Sequence, residues 1–365
     1  MFYLPDKKEC DNIVENSKQF FRKDTEFLNK HLAIYHYKQG KYEEFEKFNA
    51  WELRSLTFVK NKKWDRFLGI HKFFELNAAP GWREEDLKQK KIIKVQEKID
   101  GTLMQPIPIN GDIYFKSKLT FDSIQAKRAN EILKNDKKTQ EFIFECFKNG
   151  KIPLFEYISP QSQIVMDYNK EALILIQIRD LRSGKYDLSF EEQAKKFDIE
   201  CAKVYKPAPL EKFIKQSESR HDLEGWVIIF EDMRFVKLKT KTYLYRHEIL
   251  GDIKENDIIQ LTLNGQIDGV LALLNKQSDK YHFVSEIKEK FLQKYNSLQY
   301  EINSIIKNFK GSTKEFKQKF ANYPYYALLS EAYKKRKKIP PRKVIYEWSV
   351  KHTKKLKNAK RFLES

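Results

Sequence analysis

Three cysteines in 365 residues, Cys10, Cys146 and Cys201, are too widely separated and odd in number for a disulfide framework or a zinc-ligand cluster, and are expected to be reduced and structural. The seven histidines form no HxxxH-like pair. There is no G-x-x-x-x-G-K-[ST] phosphate loop and no G-x-G-x-x-G fingerprint, which argues against a P-loop kinase and a Rossmann enzyme. No apolar run approaches the roughly 20 residues of a spanning helix. Met1-Phe2-Tyr3-Leu4 gives way at once to charges, unlike a secretory leader, so a soluble cytoplasmic protein with no membrane partner is expected.

What the chain does have is apolar mass and positive charge. At 41% hydrophobic and 14% aromatic, it is long enough to build two cores. Lys and Arg total 70 against 51 acids, and the excess of +19 favours a polyanionic partner such as nucleic acid or nucleotide. The last 35 residues hold thirteen Lys or Arg and three acids, interspersed with Tyr333, Tyr346, Trp348 and Phe362. That composition suits a helical phosphate-contacting surface or a solvated basic face.

Cys10, Ile13, Ser17, Phe20 and Phe21 fall on one helical face, so the spacing predicts a helix from about Asp6 to Phe21. Alternation then predicts strands at His31 to Tyr37, Leu53 to Val59 (carrying Arg54) and Trp64 to Ile70, with Lys72 just beyond. Asn110-Gly111 between TLMQPIPI and DIYFKSKL is a strong hairpin signal that places Lys116 and Lys118 on one face of the returning strand. Asp122 or Ser123 can cap one helix, and a second at Gln140 to Lys148 should end near Gly150. Ile152 to Ile158 and Ala172 to Arg179 are apolar enough for central strands, which makes Glu156 inside the first a functional candidate or an ion-paired core acid. Ser189-Phe190-Glu191-Glu192 has capping-box spacing. Trp226 to Phe230 and Arg234 to Leu238 read as a last hairpin, entered through Glu224-Gly225. Beyond about His247 the spacing turns helical, most clearly from Val284 to Ile306. Between Ile258 and Leu274 helix is favoured, although Asn264-Gly265 could close a hairpin. The expected class is α+β: antiparallel sheets with flanking helices over residues 1–247, then an all-helical basic domain over 248–365.

The stretch Glu97-Lys98-Ile99-Asp100-Gly101 sets a lysine between acids at the end of an apolar strand. With a reference pKa of about 10.4, a lysine acts as a nucleophile only where cations or desolvation leave some of it neutral. In chain order the candidates run Arg54 (ELRSLTF), Lys72 (HKFFELN), Lys98 (EKIDG), Lys118 (FKSKLT), Glu156 (LFEYIS), Glu224 (LEGWVI), then Lys237 and Lys239 (VKLKT), with Tyr243 close behind. Singly, each has a structural reading as a solvated charge, a core ion pair or an edge-strand residue. Jointly, the order and contexts resemble the covalent nucleotidyltransferases, specifically the phage-type RNA ligase 1 family that repairs tRNA, over roughly residues 30 to 247. Two departures stand out: Ser55 follows the first arginine where the family has glycine, and Leu68-Gly69-Ile70-His71 stands where it has an Arg-Pro.

The resemblance implies an ATP-dependent RNA ligase. Lys98 would attack the α-phosphate to form lysyl-AMP, Arg54 and Lys72 would hold the departing phosphates, and Lys237 and Lys239 would contact the α-phosphate. Glu156 would bind the ribose, with Glu97, Lys118 and Tyr243 as further nucleotide contacts. Glu224, joined by Asp100, would serve Mg²⁺ or Mn²⁺. AMP would pass to a 5′-phosphate on RNA, and a 3′-hydroxyl would close the bond. The implied partners are RNA with such ends, tRNA among them, and an end-healing polynucleotide kinase-phosphatase acting in trans. The alternatives are a non-catalytic RNA-binding protein with a ligase-like core, or a DNA ligase or capping guanylyltransferase. The helical pattern after Lys239, in place of a five-stranded barrel, favours the RNA ligase.

Overall fold

The computed structural model describes residues 3–162, 165–251 and 253–364, so Met1 and Phe2 of the leader reading lie outside the described residues. The chain divides into two compact units, Met1–His247 and Glu248–Ser365.

The first unit is built on three sheets. In chain order the strands are β1 (Phe20–Phe27), β2 (Lys30–Tyr37), β3 (Leu56–Lys60), β4 (Trp64–Phe67), β5 (Phe74–Glu75), β6 (Ile92–Lys98) and β7 (Thr102–Ile109). They continue as β8 (Asp112–Lys116), β9 (Lys151–Ile158), β10 (Ala172–Asp180), β11 (Val204–Tyr205), β12 (Gly225–Phe230) and β13 (Phe235–Lys239). The sheets have orders β1-β2-β3-β4, β10-β9-β7-β8 and β11-β6-β12-β13-β5. Their ladders are antiparallel, except that β5 joins β13 in parallel.

Local chemistry accounts for the main turns. Asn110 and Gly111 both take positive φ, 54° and 93°, as a two-residue hairpin between right-twisted strands requires. Leu28 and Asn29 do the same between β1 and β2, with φ of 49° and 62°, from residue types that advertise the turn far less clearly. Pro106 and Pro108 are tolerated in β7 because β9 pairs only with Thr102, Leu103 and Met104, leaving one edge of the later residues without a ladder. Between β9 and β10 the register shifts from Leu175 to Gln177, and the extra residue, Ile176, brings two consecutive side chains toward the same cleft.

Several expected boundaries move. The N-terminal helix spans Lys7–Asn16, closed by an Asp6/Glu9 capping box, and Phe20 and Phe21 belong to β1. Phe20 packs its ring on Phe45 at 5.1 Å while Phe21 faces the other side, the alternation of a strand. Arg54 precedes β3, and Lys118 lies in the turn after β8, so Lys116 and Lys118 do not share a strand face. Ser123 does cap Ile124–Asn135, accepting from Ala126 N. Ser189 starts Phe190–Phe197 without closing a capping box, because its hydroxyl donates to Asp187.

The second unit is helical throughout its described residues. Its longest helix, Asp279–Asn308, buries Val284, Ile287, Phe291, Leu298 and Ile302, the stripe that the spacing marks. Helices Glu255–Leu263 and Ile267–Ala272 flank Asn264-Gly265, which closes no hairpin; Gly265 instead takes φ of 71° between them. No helix among the described residues is long and apolar enough to cross a membrane.

Candidate active site

The register of the five-stranded sheet assembles the site's floor. Lys98 at the end of β6 stands opposite Gly225, and Gly225 stands opposite Lys239. Two residues along, on the same face, Gln96, Val227 and Lys237 form the next row, with Glu75 beside Lys237. The second wall is the sheet containing β9, where Glu156 sits between Leu103 and Ile174. A cleft of about 280 Å³ lies between the two, lined by Arg54, Glu75, Lys98, Lys118, Glu156, Glu224, Lys237, Lys239 and Tyr243 among others. Two glycines let the walls close: a Cβ on Gly225 would lie 2.1 Å from the Leu238 carbonyl oxygen, and one on Gly101 would lie 2.3 Å from that of Tyr157.

At the centre, Lys98 Nζ donates to Glu224 Oε2 at 2.7 Å. The lysine side chain is 22% exposed and the carboxylate 2%, so a ligand in the cleft can reach the amine while its partner stays behind it. Burial raises the Glu224 pKa, opposed by Lys98. Lys239 bridges Glu75 Oε1 at 2.8 Å and lies 4.0 Å from Glu224 Oε1. By contrast, Arg54, Lys118 and Lys237 form no ion pair among the described residues. Arg54 and Lys237 both flank the Phe73 ring, at 5.8 and 4.6 Å. Burial, then Arg54, lowers the pKa of Lys118, and the same causes hold Lys237 well below the ordinary lysine range. Glu156 is pushed up to about 7 by burial, which Lys98 and Lys118 only partly offset. Three cations without an ion pair among the described residues, around a lysine that a ligand can reach, form a site preorganised for an anion with several negative oxygens.

Three residues sit differently from their sequence reading, while a fourth, Tyr243, does line the cleft. Asp100 is buried and both its oxygens are engaged: one accepts from Val165 N and Met166 N at 2.9 and 2.8 Å, and the other from Tyr243 OH at 2.9 Å. These three donors hold the carboxylate in place, so Asp100 anchors the loop and Tyr243 beside the cleft. Glu97 still contributes to the cleft's lining, but it alternates away from Lys98 on β6, and its carboxyl has Lys203, Asp222, Arg220 and Tyr205 as neighbours. Lys72 does not line the cleft; its ammonium rests over the rings of Phe74 at 4.2 Å and Tyr37 at 5.4 Å. Burial and Arg54 lower its pKa to about 8. Tyr243 is buried, with burial raising its phenol, and it receives Lys239 over its ring at 5.4 Å.

The structure also shows residues that sequence reading missed. Glu75 was hidden inside HKFFELN, although its pairing with Lys239 and its place beside Lys237 make it part of the cleft. Ser55 takes φ of 67°, a conformation that favours glycine. The fully buried Lys116 compensates by donating from Nζ to Ser55 Oγ at 2.8 Å and to the carbonyls of Ser117 and Lys118 at 3.2 and 3.3 Å. Ser55 Oγ in turn donates to Gln105 at 3.1 Å. This network fixes the turn that projects Arg54, and Gly69 packs against it so closely that a Cβ there would lie 2.5 Å from the Arg54 carbonyl oxygen.

No three His, Cys, Asp or Glu side chains among the described residues converge into a preformed metal cage. To share a hard cation with phosphate oxygens and water, Glu224 at the cleft floor would have to exchange its contact with Lys98 for the metal.

A family model described as RNA ligase, of the phage T4 type, matches residues 52–245, which hold every residue of this cleft up to Tyr243. The chain is 29% identical over 303 residues to a Thermovibrio ammonificans protein named "Putative RNA ligase", covering 75% of this chain and 78% of that one. It is 22% identical over 292 residues to an Autographa californica nuclear polyhedrosis virus protein named "Putative bifunctional polynucleotide kinase/RNA ligase", covering 73% of this chain and 40% of the viral one. An archaeal ATP-dependent RNA ligase shares the fold, with a TM-score of 0.50 at 11% identity over 81% of this chain and 80% of that one. With the family model spanning more than half of its length, the chain belongs to the phage-type RNA ligase family.

Proposed function

We propose that the protein joins RNA ends through a covalent lysyl-AMP intermediate formed from ATP at Lys98. One observation carries this reading: an accessible lysine lies in a cleft where Arg54, Lys118 and Lys237 form no ion pair among the described residues. Triphosphate supplies the negative oxygens that those cations lack. As Lys98 Nζ attacks the α-phosphorus, the N–P bond forms and the bond to pyrophosphate breaks. The proton that Lys98 sheds is taken up by water or by Glu224 at 2.7 Å. Lys237 and Lys239 neutralise the α-phosphate, Arg54 the leaving phosphates, and Lys118 and Glu156 hold the nucleoside side of the cleft. Lys72, set behind Arg54, reinforces the positive field. Glu224 would hold a divalent cation, Mg²⁺ or Mn²⁺, which would supply further charge neutralisation at the phosphates. AMP then moves to a 5′-phosphate on RNA, and a 3′-hydroxyl displaces it.

Residues 1–247 carry this chemistry in the proposal, and the basic unit 248–365 selects the RNA, with broken tRNA as the physiological substrate. A kinase-phosphatase acting in trans prepares the ends. Incubation with α-labelled ATP and Mg²⁺ tests the central step. A protein-bound label that is acid-labile and released by pyrophosphate is expected, and its absence under conditions that support nucleotide binding defeats the proposal.

A further inference from the structure

The helical unit contains a second concavity, of about 520 Å³, framed by Tyr325, Trp348, His352, Arg361 and Phe362. That volume falls within the roughly 300–1,000 Å³ of small-ligand pockets. Its wall is aromatic. Trp348 and His352, one turn apart on the helix Pro341–His352, stack with centroids 4.4 Å apart and planes at 11°. Tyr325 meets Trp348 edge-on at 5.8 Å, and Phe362 lies 6.3 Å from it. Tyr325, Trp348 and His352 are only half-buried, so ring surface remains open to a ligand. Burial and the neighbouring Arg361 lower the His352 pKa, leaving its ring neutral near pH 7.

The surroundings specify the occupant. Arg361 is exposed at the rim, and Lys351, Lys354 and Lys355, within three residues of His352, are exposed as well. From Lys310 to the end of the sequence there are 17 Lys or Arg against four acids. An aliphatic side chain would fill the pocket and leave the cations unused. A nucleotide unit uses both, because its base offers a flat π face and its backbone an anion.

We propose that this pocket takes one unstacked nucleobase of the RNA substrate, with the adjoining phosphate on Arg361 and the neighbouring lysines. The proposal rests on the reading of the chain as an RNA ligase and sharpens it: the helical unit then senses unpaired bases as well as charge. Stacking of this kind is sequence-tolerant, since every base has a π face, so the selection would be for single-stranded loops or ends over duplex.

The full-length protein is titrated by fluorescence anisotropy with a single-stranded RNA dodecamer and with an abasic strand of equal length and charge. Wild type should prefer the base-bearing strand by about ten-fold or more, the scale of one base–aromatic stack. His352→Ala and Trp348→Ala should each remove most of that preference while leaving abasic binding, its salt dependence and lysyl-AMP formation unchanged. Should Trp348→Ala lose helicity by circular dichroism, the His352→Ala result decides, because that side chain sits at the edge of the wall. Equal binding of both strands by wild type, as expected if the pocket docks a protein instead, overturns the proposal, as does a full preference retained in His352→Ala. Failure of wild type to form lysyl-AMP would defeat the ligase reading separately, whichever strand it prefers.

Discussion

Lysine is put to opposite uses in the two units. In the sheet unit Lys118 and Lys237 are pushed out of water into a cleft, where burial and the fields of Arg54 and Lys98 depress their pKa values and every anionic oxygen that enters is felt strongly. In the helical unit Lys334, Lys337 and Lys338 stand in solvent, where salt screens them beyond about 10 Å at 0.1 M. The same side chain is therefore a short-range instrument in one place and a long-range attractant in the other. Burial, rather than composition, sets the difference.

Four experiments break or sharpen that contrast. The largest effect is expected from Lys98→Ala: attachment of AMP should vanish in a gel assay with labelled ATP, while sealing of pre-adenylated RNA persists, since the covalent step lies upstream of it. Label on the variant would remove Lys98 from its role. Next, Glu224→Ala should slow adenylylation by about 10² to 10³, the scale of losing one preorganised charge contact, and raised Mg²⁺ should restore part of the rate. An unaffected rate would return Glu224 to a purely structural ion pair.

A third experiment reads the cleft's electrostatics as stability. The Glu156 carboxyl moves from its usual 4.5 up to about 7, so the fold favours the protonated acid. That stabilising contribution is complete below about pH 4.5 and is lost as pH rises through 7. Glu156→Gln, neutral at every pH, should then melt above wild type at pH 8 by an amount equivalent to about 1–3 kcal/mol. The advantage should fade toward pH 5, and a pH-independent difference would contradict the shift. The smallest effect belongs to the other unit. Neutralising Lys334, Lys337 and Lys338 should make the salt dependence of single-stranded RNA binding shallower by up to about 2 in log–log slope, with adenylylation unchanged. Lys335 and Arg336 should add less, because the first pairs with Glu331 at 2.6 Å and the second lies over the Tyr333 ring at 3.5 Å.

Most of the sheet framework was legible because its strands either alternate with period two or are short continuous apolar runs, and one hairpin turn is the unambiguous Asn-Gly. The helical unit was legible from Val284 to Ile306 because a single stripe persists for six turns. Boundaries failed where two periods fit the same residues: Phe20 and Phe21 extend the stripe of the first helix and also begin β1. The candidate site was legible as a set of charges in order, but not as a circuit of contacts. Nothing local in EKIDG tells that one Asp100 oxygen is held by two backbone amides more than 60 residues away, or that Lys72 turns to aromatic rings. Glu75 could have been found by placing HKFFELN in register with VKLKT, which requires knowing that the short β5 pairs in parallel with β13.

The bond between Lys116 and Ser55 carries a consequence for how such a chain can change over time. Glycine at 55 would relax the left-handed turn but take one of three acceptors from a buried amine. Replacement of Lys116 alone would leave serine in a glycine-type conformation with only its bond to Gln105. Each single step is unfavourable where the double step is not, so the two positions are epistatic. An evolutionary path between the serine and glycine versions of this turn has to cross both sites together, or pass through a less stable ancestor.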